Sequence, residues 1–259
     1  MNFKLTGFCL TLVLSLLVQV SFGQTNSCEE VGKDLTKLYN KILPFYYGDS
    51  DSLSYYSDLF SSKLTNYIKN NPSTIDCKFK SLTDSKTISI VTSADNSFRI
   101  YSWDTWLGGT MQNYKNLFQF KSDGKVRTLT FDYGEGDMGT YFTDIFSLKA
   151  NGKIYFLGVS GGSESSKYAY EVIKAYSIND ITIDDSVKLI KTASGLQNSI
   201  FIEYDFFSAA DRPERPLKLI KYDADKKIIY IPIVWENGKV TNKFIRYQFT
   251  GQYFEKLSQ

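Results

Sequence analysis

Residues 144–159 read DIFSLKANGKIYFLGV. Two apolar runs flank Asn151-Gly152. Asn-Gly readily supplies the two consecutive positive-φ residues of a type I′ turn, whose twist matches that of paired strands. The stretch therefore predicts a β-hairpin. The same pattern recurs along the chain. Asp123-Gly124 separates LFQFK from VRTLTF, Asn237-Gly238 separates IIYIPIV from VTNKFIRYQF, and Thr250-Gly251 leads into QYFEKL. From Phe79 onward, short period-two runs alternate with such turns. Repeated hairpins predict an antiparallel meander and leave no room for the crossover helices of a parallel sheet. No repeat period stands out, and about 180 residues are too few for a complete propeller. The expected architecture is one twisted antiparallel β domain, sandwich or propeller-like. Residues 165–178, SSKYAYEVIKAYSI, lack clean alternation but are read as a strand.

Before this region the period changes. Ser27 followed by Glu30 forms a capping box. Val31, Leu35, Leu38, Tyr39, Ile42 and Tyr46 then share one helical face, and Pro44 ends or kinks the helix. Gly48-Asp49-Ser50-Asp51 can cap a second helix, whose apolar face is Leu53, Tyr56, Leu59, Phe60, Leu64, Tyr67 and Ile68. Asn70-Asn71-Pro72 stops it. The fold class expected is α+β, mainly antiparallel β. A helical hairpin over residues 24–78 packs on a β domain over residues 79–259.

The first residues predict a destination. Lys4 precedes an apolar run, FCLTLVLSLLVQV, and Ser21-Phe22-Gly23 supplies small residues before Gln24. This is the layout of a signal peptide over residues 1–23. The run is shorter than the roughly 20 residues of a spanning helix, and no later segment reads as transmembrane. Cleavage would leave Cys28 and Cys77, an even pair in an exported chain, hence one expected disulfide. A 49-residue loop (77 − 28) gives about 4 kcal/mol in the chain-entropy model. The net charge of +2 becomes +1 without Lys4, which leaves no electrostatic footprint for nucleic acid. The 19 Tyr and 19 Phe suit strands, and also a surface that stacks on sugars or peptides.

The chain has no histidine. That removes His-based nucleophilic catalysis and His-ligated zinc. No phosphate-binding glycine loop is present. Ser122-Asp123-Gly124-Lys125 matches Ser-x-x-Lys but falls on a hairpin turn. What survives is chemistry carried by carboxylates, Tyr, Lys or hard metals. The acids near aromatics are Asp104, Asp132, Glu135, Asp137, Asp144, Glu203 and Asp205, and no spacing pairs them as a two-carboxylate glycosidase would require.

Four segments carry candidate sites. Residues 131–144, FDYGEGDMGTYFTD, place Asp132, Glu135 and Asp137 on a glycine-rich turn. Oxygen ligands of this kind make calcium the candidate cofactor, against the reading of a polar connection. Residues 208–223 carry Arg212, Glu214 and Arg215 around two prolines, Pro213 and Pro216, a stiff loop on which the arginines could meet a carboxylate or simply pair with Glu214. GVSGGSESSKY, residues 158–168, reads as a Gly/Ser connector, against the reading of a mobile lip of a site. In FRIYSWDTWLGG, residues 98–109, both faces of the strand are partly apolar, so Trp103 anchors core. Asp104 and Trp106, at a Gly-Gly turn, could pair a stacking ring with an orienting carboxylate. The candidate ligand-binding residues are thus Trp103, Asp104, Trp106, Arg212 and Arg215.

YSWDTWLGGTM (101–111), IEYDFFSAADRPERPLKLIKYD (202–223) and IIYIPIVWENGKVTNKFIRYQFTGQYF (228–254) resemble a group of secreted proteins from Bacteroidota-type bacteria. That resemblance implies export, to the periplasm or beyond, and carries no catalytic residues. Together these features predict a non-catalytic binding protein of the bacterial envelope, with a saccharide, a peptide or an envelope protein as partner. The alternative is a carboxylate-dependent glycan-active enzyme. A third possibility is a structural or inhibitory partner protein.

Overall fold

A computed structural model describes residues 27–258 apart from Thr110, Asp132, Tyr133 and Glu135. The signal peptide expected over residues 1–23 lies outside the described residues. Helix α1 spans Cys28–Tyr39 and starts on the capping box of Ser27 and Glu30. A one-turn 3-10 helix, Leu43–Phe45, follows, with Pro44 inside it. Helix α2 spans Ser50–Asn70, and Asp49 caps it by accepting from the N–H groups of Asp51 and Ser52. A second 3-10 turn, Pro72–Asp76, returns the chain to Cys77, which is disulfide-bonded to Cys28 with a Cα–Cα distance of 6.0 Å.

Where strand structure was expected, from Phe79, the chain instead makes helix α3, Lys80–Asp84. The reason is tertiary. Glu29 of α1 accepts from the N–H groups of Lys80 (3.0 Å) and Ser81 (2.9 Å), capping a helix whose own cap position offers no acceptor. Phe79 and Leu82 are buried among the helices.

Three sheets follow. The first holds β1 (Ser89–Thr92), β2 (Phe98–Asp104), β3 (Tyr114–Ser122) and β4 (Lys125–Leu129) in simple meander order. The second begins with β5 (Tyr141–Ala150), β6 (Lys153–Ser163), β7 (Tyr168–Asn179) and the short β8 (Thr182–Asp184). The chain then leaves to make β9 (Ile190–Thr192) and β10 (Gly195–Gln197). It returns as β11 (Ser199–Asp205) on the outer side of β7. The third sheet adds β12 (Lys221–Asp223), β13 (Ile228–Val234), β14 (Val240–Phe249) and β15 (Phe254–Lys256), in order β10-β9-β15-β14-β13-β12. Among the described residues every pairing is antiparallel except β15 with β9. The turns Asp123-Gly124 and Asn151-Gly152 have positive φ at both residues, and their hairpins close at Ser122↔Lys125 and Ala150↔Lys153. The 165–178 segment is strand from Tyr168, as read from the sequence.

Period-two alternation distributes the layers. On β2, Tyr101 and Trp103 face α1 and α2, while Phe98 and Ile100 face the second sheet. On β6 and β7, Phe156 and Tyr176 face the first sheet, whereas Leu157, Val159, Ile173 and Ala175 face the third. The result is a helical layer and three face-packed sheets, a sandwich-like stack rather than a closed barrel. Each large apolar side chain buried between layers contributes roughly 1.5–3 kcal/mol.

Candidate functional site

A cleft of about 350 Å³ opens where α1, one end of the first two sheets and the irregular segment 210–220 meet. Its walls carry Tyr39, Asp104, Trp106, Tyr114, Tyr141, Tyr170, Glu171, Tyr204, Phe206 and Arg215. Strand ends bring these residues together: β2 ends at Asp104, β3 begins at Tyr114, β5 at Tyr141, and β7 begins just before Tyr170 and Glu171.

Asp104 organises the turn beyond β2. Its Oδ1 accepts from the backbone N–H groups of Trp106 (2.9 Å) and Asn113 (3.3 Å). Trp106 follows in the left-handed region, φ 62°. Its indole N–H donates to the Tyr39 hydroxyl (2.8 Å), which in turn donates to the Asp104 carbonyl (3.0 Å). Tyr46 packs edge-on against the indole at 5.4 Å. Trp106 is therefore a half-buried, fixed wall of the cleft. Burial raises the pKa of the Asp104 carboxyl, and the two backbone N–H groups oppose the rise. Burial likewise lifts the phenols of Tyr39, Tyr114, Tyr141, Tyr170 and Tyr204, so they remain neutral hydroxyls.

Glu171 is only 4% exposed. Its two carboxylate oxygens accept from the N–H of Leu219 at 3.0 Å each, and one also accepts from Ile220 at 2.8 Å. Burial pushes its pKa up to about 7, against these hydrogen bonds, with the charge of Asp144 adding to the rise. The glycines ahead of it admit the aromatic wall. A Cβ on Gly162 would lie 2.7–2.9 Å from the ring and hydroxyl of Tyr170, and one on Gly161 would lie 2.5 Å from the Tyr170 carbonyl. Residues 158–163, expected as part of a connector, are thus the end of β6, with only 164–167 left as the turn.

The structure brings three of the sequence candidates to this cleft: Asp104, Trp106 and Arg215. Trp103 is 2% exposed in the helix–sheet core, its indole donating to Ser61 Oγ at 3.0 Å. It borders a second, larger cavity of about 800 Å³, which shares Tyr114 and Tyr170 with the cleft. Arg215 turns its guanidinium onto the carbonyls of Arg212 (2.6 Å), Glu214 (2.7 Å) and Ala210 (2.5 Å), which ties up its own loop. Arg212 reaches Asn242 at 3.3 Å. Among the described residues neither arginine forms an ion pair with Glu214. Of the calcium candidates, Asp132 and Glu135 lie outside the described residues. Asp137 is exposed and accepts from the Gly139 N–H at 2.9 Å. Among the described residues no group of three metal-ligating side chains forms. Asp144 pairs with Lys218 at 2.9 Å and Asp205 with Lys167 at 3.6 Å.

Sequence reading missed Glu171 and the tyrosines. A signal for Glu171 was present: it is the lone charge on a face that otherwise reads Ala169, Ile173, Ala175 at period two. The tyrosines come from segments far apart in the chain, so nothing local marked them as one site. No helix among the described residues is long and apolar enough to cross a membrane. Compared with models of protein families, with curated proteins and with solved structures, the chain shows no match.

Proposed function

We propose that the chain is an exported binding protein of the bacterial envelope that takes its ligand, a saccharide or an extended peptide, into the Tyr-rich cleft at the end of the first two sheets. The observation that carries this reading is the convergence of Trp106 and five tyrosines, from six separate elements or turns, on one concave site. Neutral phenols offer both an apolar face and a hydroxyl, the combination that suits a ring-bearing polar ligand. The two acids support binding more than hydrolysis. Glu171 has both oxygens engaged by Leu219 and Ile220, and Asp104 holds two backbone N–H groups. The Cys28–Cys77 disulfide is compatible with export.

Thermal-shift screening of residues 24–259 against envelope saccharides and peptides tests the reading. A saturable rise in melting temperature that Trp106→Ala removes supports it. A ligand whose binding survives both Trp106→Ala and Tyr114→Ala places the site elsewhere. One observation favours the enzymatic alternative: the pKa of a buried acid in this cleft is raised to about 7, as in a general acid. Product analysis with each bound saccharide, using wild type and Glu171→Gln, separates the two.

A further inference from the structure

We propose that the cleft recognises an organic cation, an ammonium or methylated ammonium group held by Asp104 among the tyrosine rings. This rests on the cleft being the ligand site and goes beyond it by naming the charge of the ligand. Asp104 and Glu171 are withdrawn from solvent in one concavity. Among the described residues no lysine or arginine forms an ion pair with either. Glu171 is satisfied by backbone N–H groups on both oxygens. Asp104 holds its two N–H groups through Oδ1 alone. Carboxylates taken from water call for a compensating charge.

The surroundings of Asp104 supply what a cation needs in addition. Tyr114 and Tyr141 lie 5.4 Å apart by ring centroid, and Tyr39 is hydrogen-bonded to the Asp104 carbonyl. Aromatic faces attract an ammonium through their quadrupole, and rings around one carboxylate form a cage selective for alkylated amines. The two cations on the lining do not fill that role. Lys86 and Arg215 are both exposed, and Arg215 is committed to three carbonyls of its own loop.

Titration calorimetry of residues 24–259 with choline and with 3,3-dimethylbutan-1-ol, its neutral carbon isostere, provides the test. Saturable binding of choline is expected, with the isostere at least ten-fold weaker. Asp104→Asn keeps Oδ1 as acceptor for Trp106 and Asn113 while removing the charge. It is expected to weaken choline at least ten-fold and leave the isostere unchanged. Equal binding of choline and isostere overturns the proposal, and so does undiminished choline binding by a folded Asp104→Asn. If that variant fails to fold, the wild-type comparison of choline with the isostere decides alone. Absence of binding by both choline and butylammonium also overturns the proposal. A neutral saccharide bound in a Trp106-dependent way would then leave the cleft standing as a ligand site. Silence from every ligand class removes both readings.

Discussion

Glu171 shows how one residue links stability to the cleft. Its folded-state pKa is raised to about 7 from an ordinary 4.5, chiefly by burial. Below the unfolded value both states are protonated, so the group is neutral to stability. Between pH 4.5 and 7 the unfolded state loses its proton first, and stability falls as pH rises. The full loss is at most about 3 kcal/mol by proton linkage. Urea unfolding at pH 4.5, 6 and 8 should show this decline, and Glu171→Gln should flatten it. A wild type with no decline over that window would mean that the N–H donors of Leu219 and Ile220 offset desolvation. A second residue tests the cleft wall from outside. Gly139 has φ 66°, and a Cβ there would lie 2.0 Å from the Tyr114 carbonyl oxygen. Gly139→Ala should cost more than about 1 kcal/mol in denaturant unfolding, and the shift should reach Tyr170, whose hydroxyl donates to the Gly139 carbonyl at 2.9 Å.

At the scale of elements, α2 is held at its start by a cap and along its length by packing. Asp49→Ala removes the acceptor for the Asp51 and Ser52 N–H groups and should cost about 1 kcal/mol. Leu64 is wholly buried between α2 and its neighbours, so Leu64→Ala should cost about 2–5 kcal/mol. Chemical denaturation should therefore rank the two, and a reversed ranking would mean that α2 packs loosely. The strand elements show how far local grammar reaches. The Asp123-Gly124 and Asn151-Gly152 turns and the alternation around them were legible because they are local: two residues at positive φ and a period of two. Helix α3 was not legible, because its N-terminal acceptor is Glu29, far earlier in the chain. The glycines of 158–163 read as a connector because sequence cannot show that Phe142 and Tyr176 close on Gly158 and that Tyr170 passes over Gly161 and Gly162.

At the scale of the whole molecule, the disulfide fastens the entrance of α1 to the segment leaving α2. Buried Arg99 meets that segment from β2, donating to the carbonyls of Thr74 (2.8 Å) and Cys77 (2.6 Å). Reduction should lower the melting temperature, with a loss of up to about 4 kcal/mol if loop-closure entropy dominates. Hydrogen exchange should place the first loosening in the helical layer. Exchange that rises equally in the third sheet would show instead that the four layers unfold as one unit. The cleft, at the junction of the helical layer, the first two sheets and residues 210–220, should lose ligand affinity on reduction even where the sheets persist.

The sequence by itself determined the local conformations: helices where apolar residues recur at helical spacing after Ser27 and Asp49, hairpins where Asp-Gly or Asn-Gly interrupts alternation, and the pairing of Cys28 with Cys77. These follow from sterics and capping within a few residues. It also placed Asp104 and Trp106 together on one turn. Only the tertiary structure decided that the β region divides into three stacked sheets, that β15 pairs in parallel with β9, and that α3 exists. It alone brought Tyr39, Tyr114, Tyr141, Tyr170, Glu171 and Tyr204 into one cleft with Asp104. Which strand lies beside which, and which strand ends share a rim, is set by packing between residues far apart in the chain.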